Sequence, residues 1–99
     1  MIDPEIPEPI EFEWDRYNRT KVRLRHNIAP REAEQPFFND HLIIFDEKHS
    51  VKEKRYQLIG ETNDRRILFI VFTIRGQKIR VISARSASQK ERINYGKKT

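Results

Sequence analysis

The sequence predicts an α+β fold: an antiparallel β-meander with two N-terminal helices on one face and a short C-terminal helix. Three segments of the C-terminal half, "EKRYQLIGE", "RRILFIVFTIR" and "KIRVISA", are rich in aliphatic and aromatic residues and are separated by turn signals. Helix-capping residues stand before and after this region. With 99 residues, 36% of them hydrophobic, the chain can bury one modest core, so we expect a single domain over residues 10–99.

The N-terminal half contains signals for two helices. Residues 1–9 are acidic and proline-rich, which predicts an extended arm, and a short strand is expected at residues 10–13. Asp15 can cap a helix over residues 16–26, with Tyr17, Leu24 and Ile28 roughly on one apolar stripe, and Asn27 suits the left-handed stop. Pro30 can start a second helix that Pro36 ends, and "HLIIF" predicts a strand or its remnant.

Turn residues set the register of the meander. Gly76 and Gln77 form a two-residue loop of the glycine-first kind. The register that this loop implies pairs Arg75 with Lys78, Thr73 with Arg80, and Val71 with Ile82. One face then carries Leu68, Ile70, Phe72, Ile74, Ile79 and Val81, which the helices must cover, and the opposite face is expected to stay uncovered.

The uncovered face is predicted to be basic. A three-residue loop over residues 63–65 buries Tyr56 and places Arg55 opposite Thr73 and Glu53 opposite Arg75. Four cations and one acid thus come together on this face: Arg55, Arg75, Lys78, Arg80 and Glu53. Strict alternation places Arg85 on the apolar face unless a bulge or the strand end just before Ser86 redirects it. Ser86 with Gln89, or Ser88 with Glu91, can start the C-terminal helix.

The charge distribution indicates a polyanionic partner. The net charge is +5, but residues 1–15 hold six acids and no cation, so the rest of the chain is strongly basic. Nucleic acid is the first expectation and an acidic protein the second. The chain has no cysteine, its histidines at 26, 41 and 49 lack zinc spacing, and it has no glycine-rich phosphate loop, so we expect neither a metal nor a cofactor. Since it has no membrane-spanning run or signal peptide, we expect a cytoplasmic protein.

Several motifs occur in a characteristic order: "FEWD" at 12–15, "RH" at 25–26, "EKRYQLIG" at 53–60, "LFIVFTIRG" at 68–76 and "IRVISARSAS" at 79–88. In these motifs the chain resembles the BrnT family of toxins from bacterial toxin-antitoxin modules. The resemblance implies a RelE-like fold and a ribosome-independent ribonuclease that arrests growth. It also implies a BrnA-like antitoxin that has a ribbon-helix-helix DNA-binding domain and neutralises the toxin by binding it. The complex would bind operator DNA only through this antitoxin. Asn18 and Val22 stand where the family is expected to have lysine and asparagine.

Metal-independent RNA cleavage needs a group that takes the 2′-hydroxyl proton, cations for the charged phosphorus centre, and a proton donor for the 5′-oxygen. The catalytic candidates are Arg75, Arg85, Glu53 and His26, with Arg85 chosen because of the family match. The RNA-binding candidates are Arg80, Lys78, Arg55 and Arg25. Glu53 can be a base or can only orient Arg75, and His26 can transfer protons or only end its helix.

A second function remains open. The basic face can instead dock an antitoxin or nucleic acid in a protein that has lost catalysis through the changes at residues 18 and 22. The acidic arm can also lie across the basic face as an RNA mimic.

Overall fold

The fold is an antiparallel sheet with helices at both ends of the chain. The structure, a computed structural model, describes residues 6–97, apart from the side chains of residues 24 and 25. Its helices are α1 (Arg16–His26), α2 (Pro30–Glu34) with a 3₁₀ turn at Gln35–Phe37, and α3 (Gln89–Gly96). Its strands are β1 (His41–Phe45), β2 (Arg55–Glu61), β3 (Ile67–Arg75) and β4 (Lys78–Ser86), ordered β1-β2-β3-β4. The predicted α+β fold class is confirmed.

Local capping fixes the bounds of α1. The Asp15 carboxylate accepts a hydrogen bond from the Asn18 N–H, while the Asn18 side chain accepts one from the Asp15 N–H. Asn27 adopts the left-handed conformation with φ of 53° and ends the helix. The predicted extent of α1 is therefore confirmed, and α3 begins by the same device with Ser88 and Glu91.

Asn18 also connects α1 to the sheet. Its side chain is buried, and its amide donates to the carbonyl oxygens of Glu13 at 3.1 Å and Val81 at 3.0 Å. Val22, one turn later, is fully buried in the core. Asn18 and Val22 thus form the buried stripe of α1, whereas Tyr17, predicted to lie on that stripe, is 73% exposed.

The segment before α1 lies against the edge of β4. The Glu13 N–H donates to the Ile79 carbonyl and the Ile79 N–H donates to the Glu11 carbonyl, both at 2.8 Å. The strand expected at residues 10–13 is thus reduced to a single parallel bridge. Residues 1–5 of the predicted arm lie outside the described residues, and Ile6 already packs against the core. The domain boundary at Pro9 stays a prediction.

The β3–β4 hairpin follows the predicted register at its turn and departs from it further along. Gly76 has a φ of 60°, and Arg75 and Thr73 pair with Lys78 and Arg80 as expected. Val71, however, pairs with Ser83, so the predicted pairing with Ile82 is wrong. The cause is a one-residue bulge, which leaves Ile82 without a partner and reverses the alternation of side chains beyond it.

The main core lies between one face of the sheet and the N-terminal helices. Its buried residues are Val22, Ile28, Ala33, Phe37, Tyr56, Leu58, Leu68, Ile70, Phe72, Ile79, Val81 and Ala84. The predicted burial of Tyr56 is confirmed, and its ring stacks on Phe72 with centroids 5.4 Å apart. The three-residue loop at 63–65 is also confirmed, because the Thr62 N–H donates to the Arg66 carbonyl across it.

A second, smaller core lies on the opposite face, where α3 packs. Ile59, Ala87 and Tyr95 are buried there, and Leu42, Ile67 and Phe69 pack against them. The prediction that this face is uncovered is therefore wrong for the end of the sheet far from the Gly76 turn. The Tyr95 hydroxyl donates to the Glu61 carboxylate, and burial together with that carboxylate raises the pKa of Tyr95.

An ion pair joins α3 to β4. Arg85 donates to both carboxylate oxygens of Glu91 at 2.8 Å, and Glu91 also accepts from the Ser88 N–H at 2.8 Å. Burial by itself would raise the pKa of Glu91, but the hydrogen bonds from Arg85 and Ser88 outweigh it and hold that pKa below its ordinary value. No helix within residues 6–97 is long and apolar enough to cross a membrane.

We predict that Asn18→Ala lowers the free energy of unfolding by about 2–3 kcal/mol, because it removes the side-chain acceptor of the Asp15 N–H and leaves the buried carbonyl of Val81 without the Asn18 donor. Thermal unfolding followed by circular dichroism measures the effect. Thr20→Ala, at an exposed position of the same helix, is the control and should change stability by less than about 0.5 kcal/mol. Equal stability of the two variants would show that the Asn18 contacts contribute nothing net.

We predict that Glu91→Gln costs about 1 kcal/mol at pH 7, because glutamine can still cap α3 but loses the charge that holds Arg85. The pKa of Glu91 is depressed in the folded state, so the carboxylate contributes its stability above the ordinary value of 4.5 and loses it as pH falls through the folded-state pKa. Urea unfolding at a series of pH values should therefore show the two proteins converging as pH falls below 4.5. A constant difference down to pH 3 would contradict the ion-pair explanation.

Candidate nucleic-acid interface

A depression lies at the Gly76 end of the sheet, on the face opposite the main core. It encloses about 220 Å³ and joins residues from α1, the approach to β2, and strands β2, β3 and β4. Its lining residues are Tyr17, Asn18, Lys21, Glu53, Arg55, Arg75, Arg80, Val81 and Ile82. The structure thus brings together four of the predicted site residues.

Glu53 lies between two arginines of this depression. Its carboxylate is 3.4 Å from Nε of Arg75 and 4.0 Å from Nη2 of Arg55. The Arg75 side chain is 52% exposed and that of Arg55 37% exposed. Contacts this long are weak, so both guanidinium groups keep free donors toward solvent.

Arg80 is held more firmly and lies deeper. Its side chain is 11% exposed, with Nη2 at 2.9 Å from Asp15 and Nη1 at 3.3 Å from Glu13. The hydrogen bond from the Asn18 N–H and the charge of Arg80 lower the pKa of Asp15. Arg80 therefore connects β4 to the acidic segment before α1, and its Nη1 and Nη2 groups already contact two carboxylates.

The strand register places the three arginines around Thr73. Arg55, Thr73 and Arg80 stand opposite one another on adjacent strands. Neighbouring strands are about 4.8 Å apart, so the Cα atoms of Arg55 and Arg80 lie roughly 10 Å apart, and Arg75 is about 7 Å from Thr73 along β3. Long side chains from these positions can reach one phosphodiester group.

Arg85 lies elsewhere on the same face. The bulge at Ile82 turns it away from the main core, and its guanidinium carbon lies 4.3 Å from the centroid of the Phe69 ring. Because Phe69 precedes Arg75 by six residues on β3, Arg85 and Arg75 are about 20 Å apart along the sheet. The structure does not bring these two predicted catalytic arginines into one depression.

The remaining predicted residues lie outside the lining of the depression. Lys78 is exposed opposite Arg75 at the hairpin turn. His26 is exposed at the last position of α1, about one and a half turns beyond Lys21. The side chain of Arg25 is outside the described residues. Within residues 6–97 no three His, Asp or Glu side chains cluster as metal ligands.

Sequence reasoning did not assign five of the nine lining residues to the site, and two of these, Tyr17 and Lys21, carry long side chains on α1. They lie one turn apart on α1 and therefore share a face, next to the buried pair Asn18 and Val22. Tyr17 was misplaced because an aromatic residue at the start of a helix is typical of the buried stripe. If Asn18 is placed on the buried side of α1, the expected buried face shifts by one residue. Tyr17 and Lys21 then lie on the side of the helix that points away from the core.

The comparisons with known proteins show the family of the chain. A family model described as the ribonuclease toxin BrnT of type II toxin-antitoxin systems matches residues 14–91. The crystal structure of the Brucella abortus ribonuclease toxin BrnT is similar, with 25% sequence identity and a TM-score of 0.57, over 81% of this chain and 99% of that chain. A search of curated proteins finds no match. Because the family model covers most of its length, the chain belongs to the BrnT family of ribonuclease toxins of type II toxin-antitoxin systems.

Proposed function

We propose that this protein cleaves single-stranded RNA in the depression beside Tyr17, with neither a metal ion nor the ribosome, and thereby arrests growth. The observation that carries the proposal is the pair Arg75 and Arg55, held loosely by Glu53 in a depression open to solvent. Guanidinium groups bind phosphate through two parallel hydrogen bonds, which suits them to hold a phosphodiester.

The charge of the chain supports an RNA substrate. Residues 16–99 carry 20 cations and nine acids, so the body of the protein attracts a polyanion. Lys78 adds an exposed positive charge next to Arg75 and strengthens this attraction without a fixed contact. The carboxylates at Glu13 and Asp15 occupy Arg80, so we assign the phosphate to Arg75 and Arg55 and give Arg80 the role of fixing the wall of the depression.

Glu53 is the carboxylate that we assign as the general base. A bound phosphodiester competes with Glu53 for the guanidinium donors of Arg75 and Arg55, which leaves the carboxylate free to accept a proton. Glu53 can then take the proton of the 2′-hydroxyl group, whose oxygen forms a new bond to phosphorus as the bond to the 5′-oxygen breaks. The products are a 2′,3′-cyclic phosphate and a free 5′-hydroxyl group. We assign the proton that the leaving 5′-oxygen takes up to Lys21, the ammonium group that lines the depression.

The other predicted residues receive different roles. Arg85 is about 20 Å from Arg75 along the sheet, and its bidentate pair with Glu91 makes it a connection between β4 and α3. His26 is not among the described residues that line the depression, so its catalytic role stays a prediction. An RNA-binding role for Arg25 stays a prediction, for an RNA strand that continues past the depression along α1.

The family has an antitoxin as its partner. We propose that this antitoxin is BrnA-like, with a ribbon-helix-helix domain, and that the toxin reaches operator DNA only through it. Because the RNA substrate and the operator DNA both lie in the bacterial cytoplasm, we propose that the protein works there.

We predict that the purified protein cleaves mixed single-stranded RNA in the presence of a chelator, and that Arg75→Ala lowers kcat/KM by about 100-fold or more. The reason is that a donor aimed at the charge of the transition state is lost. Arg75→Lys should recover only part of the loss, because an ammonium group cannot make the bidentate contact. Gel analysis of a labelled RNA, with detection of the cyclic phosphate end, measures both.

Arg92→Ala is the matched control, because Arg92 is exposed on α3 and its loss removes the same net charge away from the depression. Its kcat/KM should stay within about threefold of wild type at physiological ionic strength. Intact RNA after incubation with folded wild-type protein, or equal losses for the Arg75 and Arg92 variants, would contradict the proposal.

We predict that expression of this chain alone arrests growth. Co-expression with the product of the adjacent gene should restore growth. The two proteins should elute together in gel filtration, and operator DNA should shift with the complex but not with the toxin alone. Binding of operator DNA by the isolated toxin would disprove the proposed division of roles. Arg75→Ala should remove the growth arrest while the complex still forms, which separates catalysis from antitoxin binding.

A further inference from the structure

Tyr17 is an exposed aromatic residue in a depression otherwise dominated by charge. Its side chain is 73% exposed, and it lines the same depression as Arg75, Arg55 and Lys21. Within residues 6–97 no hydrogen bond or ring contact involves its side chain, whereas Tyr56 stacks on Phe72 and Tyr95 donates to Glu61. The fold therefore does not use the Tyr17 ring for packing.

The backbone that carries Tyr17 is nonetheless firmly held. Tyr17 stands between Asp15, which caps α1, and Asn18, whose amide donates to the carbonyls of Glu13 and Val81. The start of α1 is thereby fixed against β4. A ring with few internal torsions on such a backbone loses little conformational entropy when a flat ligand stacks on it.

We propose that Tyr17 forms a nucleobase subsite, on which an unpaired base next to the bound phosphodiester stacks. The inference rests on the proposed function, since it needs the phosphate to lie on Arg75 and Arg55. Aromatic side chains hold the bases of single-stranded RNA by stacking, which tolerates any base but requires that the base be unpaired. The subsite predicts a preference for single strands and loops, because a base paired in an A-form helix keeps its faces stacked on its neighbours.

Binding of a non-cleavable RNA tests this subsite without relying on catalysis. The probe is a mixed-sequence octamer with 2′-O-methyl groups, which lacks the attacking hydroxyl, and fluorescence anisotropy measures its Kd. Tyr17→Ala should weaken binding about tenfold, in line with the loss of one stacked base. Tyr17→Phe keeps the ring and should bind like wild type. Ile93→Ala, which truncates a 52% exposed apolar side chain on α3, is the control and should leave Kd unchanged.

A set of octamers, each lacking one base, identifies the ligand of Tyr17. Wild type should lose about tenfold in affinity when the stacked base is missing, whereas Tyr17→Ala should lose nothing further at that position. A role of Tyr17 in folding alone would lower affinity equally for every octamer. Circular dichroism confirms that each variant is folded.

Equal affinities of wild type and Tyr17→Ala, or additive losses at every abasic position, would overturn the subsite. If these appear while wild type still cleaves RNA in chelator, the proposed function stands and only the subsite falls. If wild type neither binds the octamer nor cleaves RNA, both fall together. Cleavage of hairpin RNA in the stem as readily as in the loop would also contradict the subsite.

Discussion

The bulge at Ile82 is the constraint on which the rest of the sheet depends. Up to Val81 the alternation of β4 follows from the Gly76 turn, and beyond Ile82 it is reversed. Without the bulge, Arg85 would point into the main core, where an unpaired guanidinium group would be costly. With it, Ala84 fills the core position and Arg85 reaches α3. One inserted residue thus lets a single strand serve two cores on opposite faces.

Carboxylates control which arginines of this face are available. Arg80 is 11% exposed between Asp15 and Glu13, and Arg85 is 39% exposed and donates two hydrogen bonds of 2.8 Å to Glu91. Arg75, with 52% of its side chain exposed and longer contacts to Glu53, remains the most open of the three. Charge alone would treat these arginines as equivalent. Their different partners leave Arg75 with the longest contacts of the three, which suits the phosphate-binding role proposed for it together with Arg55.

Glu13 and Asp15, the acids directly before α1, have a structural role, whereas the RNA mimicry expected of the arm over residues 1–9 involves other acids and stays a prediction. Glu13 and Asp15 pair with Arg80, while the backbone on either side of Phe12 pairs with Ile79. They therefore fix the segment that leads into α1 and, with it, the position of Tyr17 beside the arginines. A carboxylate on a guanidinium group resembles a phosphate contact in chemistry, but here it serves the fold.

The sequence by itself determined the elements, because their signals are local: the Asp15 cap, the left-handed Asn27 and the Gly76 turn each act within a few residues. It also placed Arg55 and Arg75 beside Glu53, since strand parity follows from loop length. Only the tertiary structure decided three features. These are the bulge at Ile82, the packing of α3 on the face opposite the main core, and the burial of the Asn18 side chain against β4. These depend on contacts between residues far apart in the chain, where packing and hydrogen bonding outweigh local preference.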